Sequence, residues 1–202
     1  MVLSGLFAAF APAIGLPVGL AALLGAVGGT GSLLVHELGH VRAARRVDGI
    51  HSAAISLIWL GAATRFEGGY ASGREQARVA LGGPKASLTF ALALAACCLT
   101  PAPFAVKEML LAVALFNVLL GLVNLVPAYP LDGYKLVVGL LWSATGSEGK
   151  ARRVVRRIAI GWAALEVPAT MILLAEKPAL GVLVIAVAAC WLLQKRLAHA
   201  AA

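Results

Sequence analysis

Several ionisable side chains stand at the end of a long apolar stretch, in LLVHELGHVRAA at residues 33–44. His36 and His40 are four positions apart, so on a helix both imidazoles lie on one face, about 6 Å apart along the axis. That separation suits a shared zinc ion. Glu37 follows the first histidine and can reach a water molecule on the metal without binding the metal itself. The pattern is His-Glu-x-x-His, in which the glutamate acts as the general base of a hydrolase.

The surroundings of this motif make a chance occurrence a poor explanation. Of the 202 residues, 61% are hydrophobic and 13% are charged, whereas a soluble domain carries about a quarter charged residues. The composition is therefore that of an integral membrane protein. An ionisable side chain inside a membrane span costs a few kcal/mol and usually marks a functional site. Arg42, two residues after His40, can extend to the cytosolic interface, which predicts a shallow site on that side.

The elements that must position these residues are membrane spans. We expect an all-α polytopic membrane protein with about six transmembrane helices, because six apolar segments approach the length that a bilayer requires: 2–24, 25–46, 80–100, 108–142, 158–175 and 178–194. With both termini cytosolic, fourteen Lys and Arg face the cytosol and only Lys107 and Lys177 face outward, as the positive-inside rule predicts. The net charge of +8 is therefore explained by basic residues that mark the cytosolic side and contact the lipid bilayer. We expect no nucleic-acid partner.

A catalytic zinc ion takes three protein ligands, so the two histidines need a third. The candidates are His51 in the first cytosolic loop, His199 in the tail, Glu166 in the fifth segment and Asp132 in the fourth. The fourth segment contains NVLLGLVNLVPAYPLDGYK at residues 117–135, where two prolines precede Asp132 and interrupt the helix. Broken backbone at membrane depth is tolerated only beside protein or a polar cavity. An aspartate at this break is therefore better explained as a ligand or ion-site residue than as the end of a loop.

HELGH in the second segment followed by NLVPAYPLDG in the fourth resembles the site-2 protease family of intramembrane zinc metalloproteases. The resemblance implies that His36, His40 and Asp132 bind one Zn²⁺ per chain and that Glu37 activates water. It also implies that Asn124, which opens the NxxPxxPLDG stretch, helps to position the substrate. Asn117, seven residues earlier, either lines the same groove or forms a hydrogen bond between helices, and the sequence does not distinguish these two interpretations.

The resemblance covers roughly residues 20–142. SLIWLGAATRFEGG, residues 56–69, is similar to the family's glycine-containing hairpin and predicts a small membrane-associated β-hairpin between the second and third spans. LGGPKAS, residues 81–87, is similar to the family's GPxxN element, with Ser87 where many members have Asn. We expect a single domain over residues 1–202, with C-terminal helices at about 158–197. The chain resembles the minimal bacterial type of the family, and we expect no PDZ or CBS domain.

The function that this resemblance implies is zinc-dependent hydrolysis of peptide bonds within or near a transmembrane segment. The substrate would be a membrane-spanning protein, such as an anti-sigma factor or a membrane-tethered precursor. The hairpin would bind its unwound chain as an added strand. We expect a multi-pass protein of a bacterial cell membrane with its site shallow toward the cytosol. A homodimer or a regulatory membrane partner is compatible with the sequence.

Two other functions are also considered. A metallopeptidase similar to HtpX or to the prenyl-protein proteases would take Glu166 as its third zinc ligand. A non-catalytic binding protein or transporter would also use a broken helix with polar residues. The break before Asp132 favours the site-2 arrangement over the first alternative. The presence of Glu37 beside all three expected ligands favours catalysis over the second.

Overall fold

The computed structural model describes residue 8, residue 12 and residues 15–58 and 61–176. Over these residues the chain is mostly helical, with one small sheet. The elements in chain order are α1 (Val18–Ala44), β1 (Ile50–Ile58), β2 (Gly61–Gly68), α2 (Gly73–Ala80), α3 (Gly82–Cys97), α4 (Phe104–Asn124), α5 (Asp132–Thr145) and α6 (Glu148–Glu176).

Three stretches of the described residues are long and apolar enough to cross a bilayer. They are α1, the continuous region Gly73–Cys97 that comprises α2 and α3, and α4. The chain is thus a membrane protein, but the expected six spans are not confirmed. The fifth predicted segment falls within α6, while the sixth and part of the first lie outside the described residues.

The predicted division between the first two segments, at residues 24 and 25, was wrong. α1 continues without interruption through both residues as a helix of 27 residues. Gly25 does not interrupt the helix, because glycine is common inside membrane helices and does not end one by itself. The consequence is that His36 and His40 lie in the C-terminal third of one long helix.

α1 packs closely against α3. A Cβ at Gly82 would lie 2.5 Å from the carbonyl oxygen of Gly39, and a Cβ at Gly39 would lie 2.6 Å from the Cβ of Ala86. Only glycine at both positions allows the two backbones to approach this closely, as is usual where helices pack in lipid. The contact brings the first two turns of α3 against the histidine-bearing face of α1.

The predicted hairpin is present as an antiparallel pair of β1 and β2, with a register that runs from Ser52 opposite Glu67 to Ile58 opposite Gly61. It begins earlier than the sequence indicated, at Ile50. Phe66 of β2 packs against a small core of Ala44, Val47 and Val79. Side chains alternate along a strand, so Thr64 lies on the same face of β2 as Phe66, toward α1.

The predicted break in the fourth segment is also present. α4 ends at Asn124 and α5 begins at Asp132. The main-chain carbonyl oxygens of Leu125 and Val126 lie so close to Gly133 that a side chain there would collide with them, which accounts for a glycine directly after the aspartate. α5 then packs against α2 and α6, and its buried face includes Val138. The break therefore directs the first turn of α5 back toward α1.

Candidate metal centre

The side chains of His36, His40 and Asp132 converge on one point. Asp132 Oδ2 lies 3.1 Å from His36 Nε2 and 2.9 Å from His40 Nε2. All three residues are buried, and one ligand atom from each lies within 4.8 Å of the other two. α1 supplies the histidines from successive turns, and the first residue of α5 supplies the carboxylate. Residues more than 90 positions apart thus form one buried group that can hold a metal ion.

Each imidazole is fixed through its other ring nitrogen. His36 Nδ1 lies 2.9 Å from Ser87 Oγ on α3, and His40 Nδ1 lies 2.8 Å from the carbonyl oxygen of Val79 at the end of α2. The main-chain N–H of Gly83 also lies 3.3 Å from His40 Nδ1. A carbonyl can only accept, so the shorter contact requires a proton on Nδ1. The Nε2 atoms of both histidines lie against Asp132 Oδ2. Histidines that bind a metal are commonly held in this way, with the second ring nitrogen bonded to another group.

The donor atoms fit zinc. Two imidazole nitrogens and a carboxylate oxygen are among its usual ligands, and in a tetrahedral site ligand atoms lie about 3.3 Å apart. The two separations to Asp132 Oδ2 are only slightly shorter than this. Gly83 keeps the space beside the histidines open, because a Cβ there would lie 2.6 Å from His36 Nε2. An ion therefore needs little rearrangement of these residues.

Glu37 is buried next to the metal-binding group. Its Oε2 accepts a hydrogen bond of 2.5 Å from Thr64 Oγ1 on β2. The hairpin thus contacts the expected general base directly. Thr64 does not belong to any of the sequence motifs. The alternation of side chains along 61–68 is a signal for the face it occupies, but its contact with a residue 27 positions earlier depends on tertiary packing.

Two further groups contribute to the electrostatics around Asp132. Lys135 Nζ lies 3.7 Å from Asp132 Oδ1, one turn along α5, and its side chain is half-exposed. Tyr70 lies just before α2. Burial raises the pKa of the Tyr70 phenol above its ordinary value, and the nearby Asp132 carboxylate raises the pKa further. The phenol therefore remains neutral and adds no second negative charge beside the aspartate.

The two asparagines lie in different environments. Asn117 is fully buried and donates hydrogen bonds to Ser32 Oγ of α1 at 2.7 Å and to the Val113 carbonyl oxygen at 2.8 Å. This geometry favours the interhelical interpretation over contact with a substrate. Asn124 is partly buried at the end of α4, and its amide donates to the Leu120 carbonyl oxygen. Its expected contact with a substrate stays a prediction.

The other candidate ligands either lie apart from this group or have side chains that the structure does not describe. His51 is exposed on β1, where it lines a cavity with Arg45 and Ser52. Glu166 falls within α6, but its side chain is not among those described, and His199 lies beyond the described residues. Among the candidate third ligands whose side chains are described, His51 and Asp132, the structure places Asp132 against the histidine pair.

The chain is similar to a peptidase family and to two curated proteins with metalloprotease names. Residues 100–165 match the model for peptidase family M50. "Putative zinc metalloprotease Rip3" of Mycobacterium tuberculosis is 36% identical over 136 residues, which are 64% of this chain and 34% of that protein. "Putative zinc metalloprotease sll0528" of Synechocystis sp. is 30% identical over 139 residues, 67% of this chain and 36% of that protein. The chain therefore spans about a third of the length of these curated relatives.

One solved structure shares the fold. The site-2 protease from Methanocaldococcus jannaschii superposes with a TM-score of 0.56 over 91% of this chain and 82% of that one, at 20% sequence identity. At this identity the match speaks for the fold alone. It agrees with the arrangement of helices described above.

Proposed function

Because this chain is related to the site-2 proteases of peptidase family M50, we propose that it is a zinc-dependent intramembrane endopeptidase. The observation that supports this most directly is the convergence of His36 Nε2, His40 Nε2 and Asp132 Oδ2 beside a buried glutamate. A structural zinc site uses four protein ligands, whereas a catalytic one uses three and leaves a position open. Three converging donors with Glu37 next to them have the composition of a catalytic site.

The reaction is hydrolysis of a peptide bond. His36, His40 and Asp132 hold the zinc ion, which when bound acts as a Lewis acid on the carbonyl and lowers the pKa of water toward about 7. Glu37 takes a proton from the water as its oxygen bonds to the carbonyl carbon. The C–N bond then breaks, and Glu37 delivers the proton to the leaving nitrogen. Thr64 holds the carboxylate of Glu37 in orientation through the hydrogen bond from β2.

The substrate is a membrane-spanning protein whose helix must unwind, since a helix keeps its carbonyl groups in internal hydrogen bonds. The hairpin can accept an extended chain as an added strand, because strand addition supplies the main-chain partners that the unwound segment lacks. Thr64 connects this hairpin to the general base. Substrate binding and catalysis therefore meet in β2. A single-span protein such as an anti-sigma factor or a membrane-tethered precursor fits this requirement.

The first experiment measures the zinc content of detergent-purified wild type, Asp132→Ala and Glu166→Ala. We expect about one zinc ion per chain in the wild type, loss of zinc in Asp132→Ala, and retention in Glu166→Ala. Loss of zinc in Glu166→Ala with retention in Asp132→Ala would assign the protein to the HtpX-like class instead. A folded wild type without zinc would contradict the proposal altogether.

The same preparations test catalysis with Glu37→Gln, which preserves the size of the side chain and an oxygen that accepts from Thr64. We expect Glu37→Gln to bind zinc like the wild type and to cleave a model transmembrane substrate at least 10²-fold more slowly, because a general base contributes roughly 10²–10⁴-fold. A wild type that binds zinc but cleaves no faster than Glu37→Gln would favour a binding protein over an enzyme.

A further inference from the structure

The short helix α2 lies between the two elements that carry the metal-binding residues. On one side, the carbonyl oxygen of Val79 accepts the hydrogen bond from His40 Nδ1 at 2.8 Å. On the other side, one turn earlier, Gln76 Nε2 donates to the carbonyl oxygen of Lys135 on α5 at 2.8 Å. A single turn of α2 is thus bonded both to a histidine of α1 and to the helix that carries Asp132.

Gln76 is an unusual residue for the place it occupies. It is buried, and its Oε1 has no hydrogen-bond partner among the described residues. The orientation of the amide is fixed, because the Lys135 carbonyl accepts and must face the NH₂ group. A buried carbonyl oxygen without a partner is unfavourable. A glutamine that only filled space would therefore be a worse choice than methionine, and the distinctive contribution of Gln76 is its donor.

This donor acts on the first turn of α5. Lys135 is three residues after Asp132, and its side chain pairs with Asp132 Oδ1. Next to it, α2 and α5 approach closely, since a Cβ at Gly139 would lie 2.6 Å from the Gly73 carbonyl oxygen. The bond from Gln76 therefore fixes the rotation and the axial position of the first turn of α5, which carries Asp132.

α2 itself is well anchored for this purpose. Ser72 caps its N-terminus by accepting from the Glu75 N–H at 3.3 Å, and Glu75 Oε2 accepts from the Ala71 N–H at 2.9 Å. Side-chain bonds of this kind to main-chain N–H groups hold the first turn of a helix in place. Gln76 follows directly after this capped turn, so its side chain extends from a fixed backbone.

We propose that Gln76 is a positioning residue that sets Asp132 Oδ2 against the Nε2 atoms of His36 and His40. This inference rests on the proposed function, in which these three atoms hold zinc. Gln76 contacts neither metal nor substrate, and it acts through the backbone of α5. Some residues orient a metal ligand without touching the metal. Replacing such a residue typically lowers metal affinity 10- to 100-fold.

The test compares Gln76→Met with two controls, Arg78→Met and Val155→Ala. Methionine keeps the length of glutamine and removes the donor. Arg78 is exposed on the same helix, and Val155 is buried in the packing of α6 on α5, away from α2. The readouts are the zinc dissociation constant, by competition with a chelator, and the visible absorption spectrum of the cobalt-substituted protein, which reports ligand geometry.

We expect Gln76→Met to raise the zinc dissociation constant about 10- to 100-fold and to alter the cobalt spectrum. Arg78→Met should change neither readout. Val155→Ala should lower the unfolding temperature without changing the dissociation constant or the spectrum, which separates positioning from general loss of stability. If Gln76→Met does not fold, Gln76→Asn replaces it, since an amide one methylene shorter cannot reach the Lys135 carbonyl.

Two results would overturn the inference. If the wild type binds zinc and the folded Gln76 variant keeps either the wild-type dissociation constant or the wild-type cobalt spectrum, Gln76 does not position Asp132 and the proposed function stands. If the folded wild type binds no zinc, the proposed function fails and this inference fails with it.

Discussion

The two histidines use their ring nitrogens for different tasks. Nδ1 of each contacts a neighbouring helix, through Ser87 Oγ on α3 or the Val79 carbonyl on α2, while Nε2 of each faces Asp132. A ring with one nitrogen tied to the scaffold keeps the other in a fixed direction. The site is therefore organised by helices that supply no metal ligand, and its precision depends on their packing.

Replacing Thr64 tests whether, under the proposed function, the hairpin contributes to catalysis. Thr64→Val keeps the shape of the side chain and removes the donor to Glu37. We expect kcat to fall about tenfold or more, because a hydrogen bond to a charged group contributes about 1.5–3 kcal/mol. Zinc content and KM should remain at wild-type values, since the metal ligands and the strand backbone are unchanged. The measurement is steady-state cleavage of a transmembrane substrate in detergent.

Thr64→Ser is the matched control for this prediction, because it restores a hydroxyl on the same backbone. It should recover most of the wild-type kcat. Equal kcat for Thr64→Val and the wild type would show that β2 does not orient the general base.

Sequence patterns predicted the residues that meet at the centre better than the residues that support them. The spacing of His36 and His40 has a direct meaning on a helix, and Asp132 follows prolines that interrupt one. Gln76 and Thr64 left no such signal, because neither belongs to a motif and their contacts with Lys135 and Glu37 arise from tertiary packing. The Val79 contact is made by a main-chain carbonyl, which any residue possesses.

At the scale of elements, helix boundaries were predicted correctly where the sequence contains residues that interrupt a helix. The prolines between residues 124 and 132 predicted the break that separates α4 from α5. The continuous apolar run around residue 25 contains no comparable signal, and the predicted boundary there was misplaced. α2 was not predicted as a separate element, although Ser72 and Glu75 have the spacing of a helix-capping box. Its sequence is short and polar, so it lacks the long apolar run that indicates a membrane helix.

The contact between α1 and α3 provides a test of packing. Gly39→Ala places a methyl group against the Gly82 backbone and Ala86, so we expect the free energy of unfolding to fall by about 1–3 kcal/mol. Gly31→Ala is the control on the same helix, since a Cβ there meets nothing within 4 Å. It should leave stability unchanged or slightly increased, because alanine favours helix formation over glycine. Thermal or denaturant unfolding in detergent measures both variants.

The contact between α1 and α3 should also affect zinc binding. Gly39 is next to His40, so separating α1 from α3 should also weaken zinc binding in Gly39→Ala but not in Gly31→Ala. Equal stability of the two variants would show that this crossing is looser than the structure indicates.

For the whole molecule, the three apolar stretches bring the functional residues to one end. α1 ends at Ala44, the hairpin and the start of α2 follow, and α4 ends at Asn124 shortly before Asp132. Many basic residues lie in the same region, between Arg42 and Lys85 and again from Lys150 to Arg157. The positive-inside rule predicts that this end faces the cytosol. Large apolar side chains exposed on the spans, including Leu23, Leu92 and Leu115, then face lipid.

Topology can be tested by cysteine labelling in intact cells. Cys97 is exposed at the end of α3, at the end of the bundle opposite the hairpin. In a chain whose other cysteines are replaced, Cys97 should react with a membrane-impermeant maleimide added outside. A chain without native cysteines that carries Ser52→Cys in the hairpin should react only after the cells are permeabilised. The reverse pattern would place the metal-binding end outside the cytosol.

The distribution of the ligands along the chain has a consequence for biosynthesis. Asp132 lies 96 and 92 positions after His36 and His40, and the hairpin, α2, α3 and α4 are synthesised in between. A nascent chain that has inserted only α1 offers two protein ligands, fewer than a catalytic zinc site requires. Under the proposed function, the enzyme therefore stays inert during its own insertion. Other proteins that insert through the same translocation machinery would then not be cleaved until α5 has been synthesised and has packed into place.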